Sequence, residues 1–241
     1  VNEYTLSTAW DVSSASFVDS FSVSSQDGSP HGIAFNKSGM KMFIVGNDND
    51  SVFEYTLSTA WDVSSASFVD SFSVASQETK PSDIAFSKSG EKMFIVGYGD
   101  NEVNEYTLST AWDVSSASFV DSFSVSSQDG SPHGIAFNKS GMKMFIVGND
   151  NDSVFEYTLS TAWDVSSASF VDSFSVASEE TKPYGIAFGK SGMKMFIVGI
   201  KGDDVNEYTL STAWDVSTAS FVDSFSVASE DDSPSGIAFG N

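Results

Sequence analysis

The chain contains no cysteine and no arginine, only five prolines, and no long apolar run. Without cysteine there is no disulfide, no thiolate zinc site and no thiol nucleophile, and the redox compartment stays open. The apolar runs, such as Met42 to Val45, fall far short of the roughly 20 residues a membrane helix requires, so no span is expected. The first residues show no initiator Met, no basic and apolar leader and no lipidation pattern, which reads as a processed or cut chain. Basic charge is scarce: 11 lysines face 33 acids, for a net charge of −22. Phosphate backbones and anionic membranes are repelled by such a field, so nucleic acid is excluded as a partner. A cation or a basic protein surface is drawn toward it.

What is present is repetition. The motif Val-x-Glu-Tyr-Thr-Leu-Ser-Thr-Ala-Trp-Asp-Val begins at Val1, Val52, Val103, Val154 and Val205, a period of 51 residues. With 40% hydrophobic and 14% aromatic residues the chain can bury a core, and a fixed period of this length marks a solenoid, a propeller or an array. Each repeat holds four short runs that alternate apolar and polar residues or are apolar throughout, as strands do. In the first repeat these are Val1 to Leu6, Phe17 to Val23, Gly32 to Phe35 and Lys41 to Val45, and turn residues separate them. No stretch sustains helical periodicity.

Four-stranded units repeated at this length are propeller blades, each burying its two faces against its neighbours. The expectation is therefore an all-β, five-bladed β-propeller spanning 1–241 as a single domain and a monomeric ring. Its repeats run 1–51, 52–102, 103–153, 154–204 and 205–241, the last being incomplete. The Gly-Ile-Ala-Phe strand, apolar on both faces, should be innermost, and the Phe-Val-Asp-Ser-Phe strand outermost. Only four copies of Lys-Met-Phe-Ile-Val-Gly exist. The closing blade, shared by the two ends of the chain, is thus expected to be three-stranded or distorted, to have lost an upstream segment, or to take a strand from another molecule.

The run Pro81-x-Asp83-Ile84-Ala85-Phe86 followed by Gly90-x-Lys92-Met93-Phe94-Ile95-Val96, with Gly replacing Asp83 in the other copies, resembles YVTN and NHL type propeller repeats. The segment Tyr-Thr-Leu-Ser-Thr-Ala-Trp-Asp-Val-Ser is similar to highly repetitive propeller-like arrays of marine bacterial and phage proteins. Both resemblances imply a β-propeller.

Residues 1–51 and 103–153 are identical, whereas 1–51 and 52–102 differ at 14 positions. Most variable positions cluster in two connections: the entry loop before the innermost strand (repeat positions 24 to 32) and the middle turn after Lys-Met-Phe-Ile-Val-Gly (positions 47 to 51). Alternate connections of a meander lie on one side, so entry loops and middle turns should share a face. That face carries 17 acids against Lys80, Lys182 and Lys201. It is the expected ligand surface, presented by Asp27, His31, Asp48, Asp50, Asp100, Asp129, His133, Asp150, Asp152, Asp203 and Asp204. Asp48, Asp50, Asp150 and Asp152 offer hard oxygens, and calcium is the candidate ion there, although the spacing is not that of an EF-hand. No other cofactor is expected.

His31 and His133 should lie about two fifths of the ring apart as exposed loop residues, without catalytic or metal chemistry. Acids that recur around a ring do not form one unique catalytic pair, so the chain is expected not to be an enzyme. The five tryptophans should plug the opposite face. The resulting expectation is a multivalent binding or adhesion module, extracellular or on a virion, that meets a glycan or a protein surface. The alternative is a structural or constructed scaffold with no ligand.

Overall fold

A computed structural model describes residues 1–240 of the chain. The chain opens with β1 (Asn2–Leu6) and β2 (Ala15–Ser20) and then builds β3 (Pro30–Phe35), β4 (Lys41–Gly46), β5 (Ser51–Leu57) and β6 (Ala66–Ser73). The same four elements recur as β7 (Pro81–Phe86), β8 (Lys92–Gly97), β9 (Glu102–Leu108) and β10 (Ala117–Ser124). They recur again as β11 (Pro132–Phe137), β12 (Lys143–Gly148), β13 (Ser153–Leu159) and β14 (Ala168–Ser175), then as β15 (Pro183–Phe188), β16 (Lys194–Gly199), β17 (Asp204–Leu210) and β18 (Ala219–Ser226). Each set of four is an antiparallel meander in chain order, and β1 pairs with β2 alone. The chain is a β-propeller.

The expectation of five blades is corrected: the chain builds four four-stranded blades and one two-stranded sheet. A strand persists where a neighbour takes up its backbone N–H and C=O groups. Among the described residues no strand like β4 lies beside β1, and Gly236–Phe239, the fifth copy of the innermost-strand sequence, forms no strand. The expected three-stranded closing blade is therefore not formed either. The two-stranded sheet still sits in the ring. Val12 N donates to Glu207 Oε2 of the last blade at 3.0 Å, and Glu3 Oε2 accepts from Val63 N of the first at 3.0 Å.

Burial between blades follows from the period-two pattern. In β4, Met42 and Ile44 pack into one inter-blade core, and Phe43 and Val45 into the next. Phe43 meets Phe86 of the following blade with ring centroids 4.5 Å apart, as Phe94 meets Phe137 and Phe145 meets Phe188. Burying such a side chain contributes about 2–3 kcal/mol. On the outermost strands Phe68 and Val69 stay about half exposed. A bulge opposite Glu54 and Tyr55 kinks that edge and discourages further pairing.

The tryptophans are structural. Trp61 takes a left-handed φ of 67° and lies over Gly39, itself at φ 71°, where any Cβ would collide with the indole. Trp61 N donates to Gly39 O at 2.9 Å. Entry loops and middle turns meet on the opposite side of the ring.

Candidate functional site

Each of the four entry loops that lead into a blade places a carboxylate beneath the middle turn of that blade. Asp27 accepts from Ser29 N at 2.7 Å and from Asn49 N at 3.1 Å, and Asp129 accepts from Ser131 N and Asn151 N. Both are only 1% exposed. Glu78 and Glu180 do the same work with a longer side chain. Burial pushes the Asp129 and Glu78 carboxyls above their usual range, while the backbone donors around them pull the other way. Gly46 has no side chain because a Cβ there would stand 2.4 Å from the Asp27 carboxyl carbon. Of the other candidate acids, Asp48, Asp100 and Asp150 are exposed at the turn tips, and Asp204 begins β17. Asp50, Asp152 and Asp203 adopt left-handed φ values of 45°, 45° and 52°, with one carboxylate oxygen of each buried and without a hydrogen-bond partner. Short polar side chains tolerate that conformation best. Among the described residues no group of three or more His, Asp and Glu side chains is arranged to share a metal ion.

The histidines differ from the sequence expectation. His133 is buried and His31 half-buried, and they converge on the ring axis. Repeat position 31 opens the innermost strand, so its five occupants, His31, Ser82, His133, Tyr184 and Ser235, lie together whatever their separation along the chain. Tyr184 stacks on His133 with centroids 3.8 Å apart and lies 6.0 Å from His31, nearly parallel to it at 13°. Tyr98, from a middle turn, approaches His133 at 4.9 Å. Asn47 Nδ2 joins the group, 2.9 Å from both His31 Nε2 and the Tyr98 hydroxyl. Ser82 Oγ lies 2.9 Å from His133 Nδ1, whereas His31 Nδ1 has no partner because Ser235 donates to the His31 carbonyl instead. Two identical repeats thus carry unlike histidines through unlike neighbours. Burial lowers the His133 pKa to about 3 and lowers that of His31 as well, which keeps both rings neutral near pH 7.

Below this group Asp83 projects into the axis. The equivalent residue is glycine in the other repeats, where a Cβ would crowd a neighbouring backbone, as at Gly134, 2.5 Å from Tyr184 O. Asp83 accepts from Ile84 N at 2.8 Å and Ile135 N at 2.9 Å, and burial pushes its carboxyl up to about 7. It stands at the wall of an axial cavity of ≈ 230 Å³ lined by Ile33, Ile84, Ile135, Ile186 and Ile237.

The sequence matches no protein-family model and no curated protein. Solved structures do resemble it. A periplasmic gluconolactonase of Pseudomonas aeruginosa shares 15% identity at a TM-score of 0.54, covering 86% of this chain and 55% of that one. A protein of Bacteroides fragilis, named as a candidate 6-phosphogluconolactonase, shares 12% at 0.56, covering 88% and 58%. A Lactobacillus plantarum protein shares 12% at 0.55, covering 81% and 54%. The chain spans a little over half the length of these structures, and the likeness is one of fold. The expectation that the chain is not an enzyme is corrected: proteins named as lactonases use this fold at 10–15% identity, so neither the fold nor its repetition excludes catalysis. Its premise fails as well. The turn acids recur around the ring, but the axial residues change from repeat to repeat and form one unique group.

Tyr98, Tyr184, Ser82 and Asn47 were not legible as site residues. The available signal was the variability of repeat position 31 in a strand assigned to the axis.

Proposed function

We propose that the chain is a ligand-binding propeller that takes a small polyhydroxylated ring, of the size of a sugar or sugar lactone, on the axis of the face formed by its entry loops and middle turns. The observation that carries this reading is the convergence of four aromatic rings, His31, Tyr98, His133 and Tyr184, at one point. Half-exposed Tyr98, Tyr184 and His31 offer flat apolar faces with polar edges, which suit the C–H and O–H surfaces of such a ring. Around them the exposed turn acids Asp48, Asp100 and Asp150 supply a negative rim that attracts cations, calcium among them, and basic protein patches. Because that rim recurs from blade to blade, it adds weak repeated contacts to a larger glycan or protein surface.

Calorimetric titration with monosaccharides and gluconolactone, in calcium and in chelator, tests the reading. Tyr184→Ala and His31→Ala should each weaken binding at least tenfold, and Asp48→Asn with Asp150→Asn should weaken only a calcium-dependent part. Binding indifferent to Tyr184 would overturn the axial assignment. A second reading, opening of a bound lactone, draws on the Ser82 and His133 pair at 2.9 Å. Acid release followed in the same samples, and its loss in Ser82→Ala, tests that chemistry.

A further inference from the structure

We propose, on the basis of that axial reading, that the ligand is an amino sugar: a pyranose whose protonated amine sits against Tyr98 and Tyr184 within the negative rim. All of the side chains involved lie on the four complete blades or on their entry loops and middle turns.

Hydrogen bonding fixes the charge of the two histidines. An amide nitrogen only donates. Asn47 Nδ2 lies 2.9 Å from His31 Nε2, and Asn149 Nδ2 lies 3.0 Å from His133 Nε2. Both Nε2 atoms therefore accept, the single ring proton of each histidine rests on Nδ1, and neither ring is an imidazolium. Ser29 Oγ at 3.4 Å and Ser131 Oγ at 3.2 Å are placed to donate to the same two nitrogens. Burial lowers both histidine pKa values, which acts in the same sense. The Tyr184 phenol is pushed up by burial and by nearby Tyr98, so it too stays uncharged at neutral pH.

Four neutral rings thus converge in a negative field. Asp27 and Asp48 act on His31 from its own blade, against Lys80 of the next. The face as a whole sets 17 acids against Lys80, Lys182 and Lys201. Such a site separates ligands of one shape by their charge. The faces of Tyr98 and Tyr184 carry the negative end of the aromatic quadrupole, which attracts an ammonium, and the attraction strengthens where water is excluded, as it is beside the buried His133. Exposed Asp48 adds a longer-range pull. A neutral hexose gains neither contribution, and a sugar acid is repelled by both. The pyranose body keeps the flat C–H contacts with the rings.

The test is calorimetric titration of the whole protein with glucosamine, glucose and N-acetylglucosamine, the last carrying the same nitrogen without its charge. Chelator is present, and about pH 6 keeps the amine protonated. Glucosamine should bind about tenfold more tightly than the other two sugars, and the advantage should shrink in about 0.5 M salt. Tyr184→Phe should keep the advantage because the π-face remains, and Tyr184→Leu should lose it. Glu91→Gln, exposed on the opposite face, should change nothing. Circular dichroism establishes that each variant is folded. Equal affinities for the three sugars, still sensitive to Tyr184, overturn the proposal and leave the axial reading standing. An advantage that N-acetylglucosamine shares overturns it as well, and so does one that survives Tyr184→Leu, which would assign the amine to the rim alone. Failure of the folded protein to bind any of the three overturns the axial reading and the proposal with it.

Discussion

Lys41 Nζ lies 2.5 Å from Glu54 Oε1, and each partner holds a second contact in the next blade, the lysine to Trp112 O at 2.7 Å and the carboxylate from Val114 N at 3.1 Å. The pair is a rivet between blades as well as an ion pair within one. Removing one member leaves the other buried or half-buried without its counter-charge, a change that costs about 3–5 kcal/mol in fully buried pairs. The lysine side chains are about a third exposed, which places the cost toward the lower end. Glu105→Gln should therefore lower the urea midpoint by an amount worth about 3 kcal/mol, and Lys92→Met with Glu105→Gln should cost less than the sum of the single changes. Additive losses would mean that the two side chains act independently.

Trp112→Ala should destabilise the protein more than Trp61→Ala. Both indoles cover a glycine and a phenylalanine of their own blade, but only Trp112 also stacks near Phe43 of the preceding one. Such a ring pair contributes about 0.5–1.5 kcal/mol beyond burial. Thermal unfolding of the two variants checks the order, and equal losses would remove the extra contact from the account.

Asp129→Ala takes away the acceptor for Ser131 N and Asn151 N in a buried place. Orphaned buried donors cost about 1–3 kcal/mol. Asp150→Asn, at the exposed tip of the same turn, should stay within about 0.5 kcal/mol. Urea unfolding of both variants distinguishes the turn-holding acid from the surface one.

Asp83 makes stability depend on pH in an unusual direction. Its carboxyl is raised to about 7 in the folded chain from an ordinary value near 3.8. Between those values the native state keeps a proton that the unfolded state has lost, so the Asp83 contribution to stability falls as pH rises through the window and levels off above 7, opposite in sign to the contribution of the depressed histidines. The loss is on the order of 4 kcal/mol. Asp83→Gly, which installs the residue of the other repeats, should remove this contribution, so the variant gains on the parent between pH 4 and pH 8. Parallel stability curves over that range would exclude Asp83 as the titrating group.

Much of the architecture was legible because a blade is built from local rules. Alternation in Phe-Val-Asp-Ser-Phe, the continuous apolar run of Lys-Met-Phe-Ile-Val-Gly and the turn residues between them specify a four-stranded meander, and the double-faced Gly-Ile-Ala-Phe strand is indeed innermost. Blade number was not legible in the same way, because five copies of a strand sequence are not five paired strands. Gly236–Phe239 has the sequence of β3 but not its neighbour, and backbone pairing is a property of two segments.

The acids show the same division. Asp27 and Asp48 look alike as turn residues in one loop cluster, yet one is sealed under a turn and the other faces water, because only the packing of entry loop on middle turn separates them.

The sequence alone determined the period, the strand content, the absence of cysteine chemistry and the negative charge, since each of these is carried by residue identity or by spacing within 51 residues. The tertiary structure alone decided that His31, Tyr98, His133 and Tyr184 meet at the axis, that Ser82 lies against one histidine and not the other, and that Lys41 and its copies bridge neighbouring blades. Those relations depend on distances across the ring, which closure imposes on residues roughly one to four repeats apart and which no local pattern records.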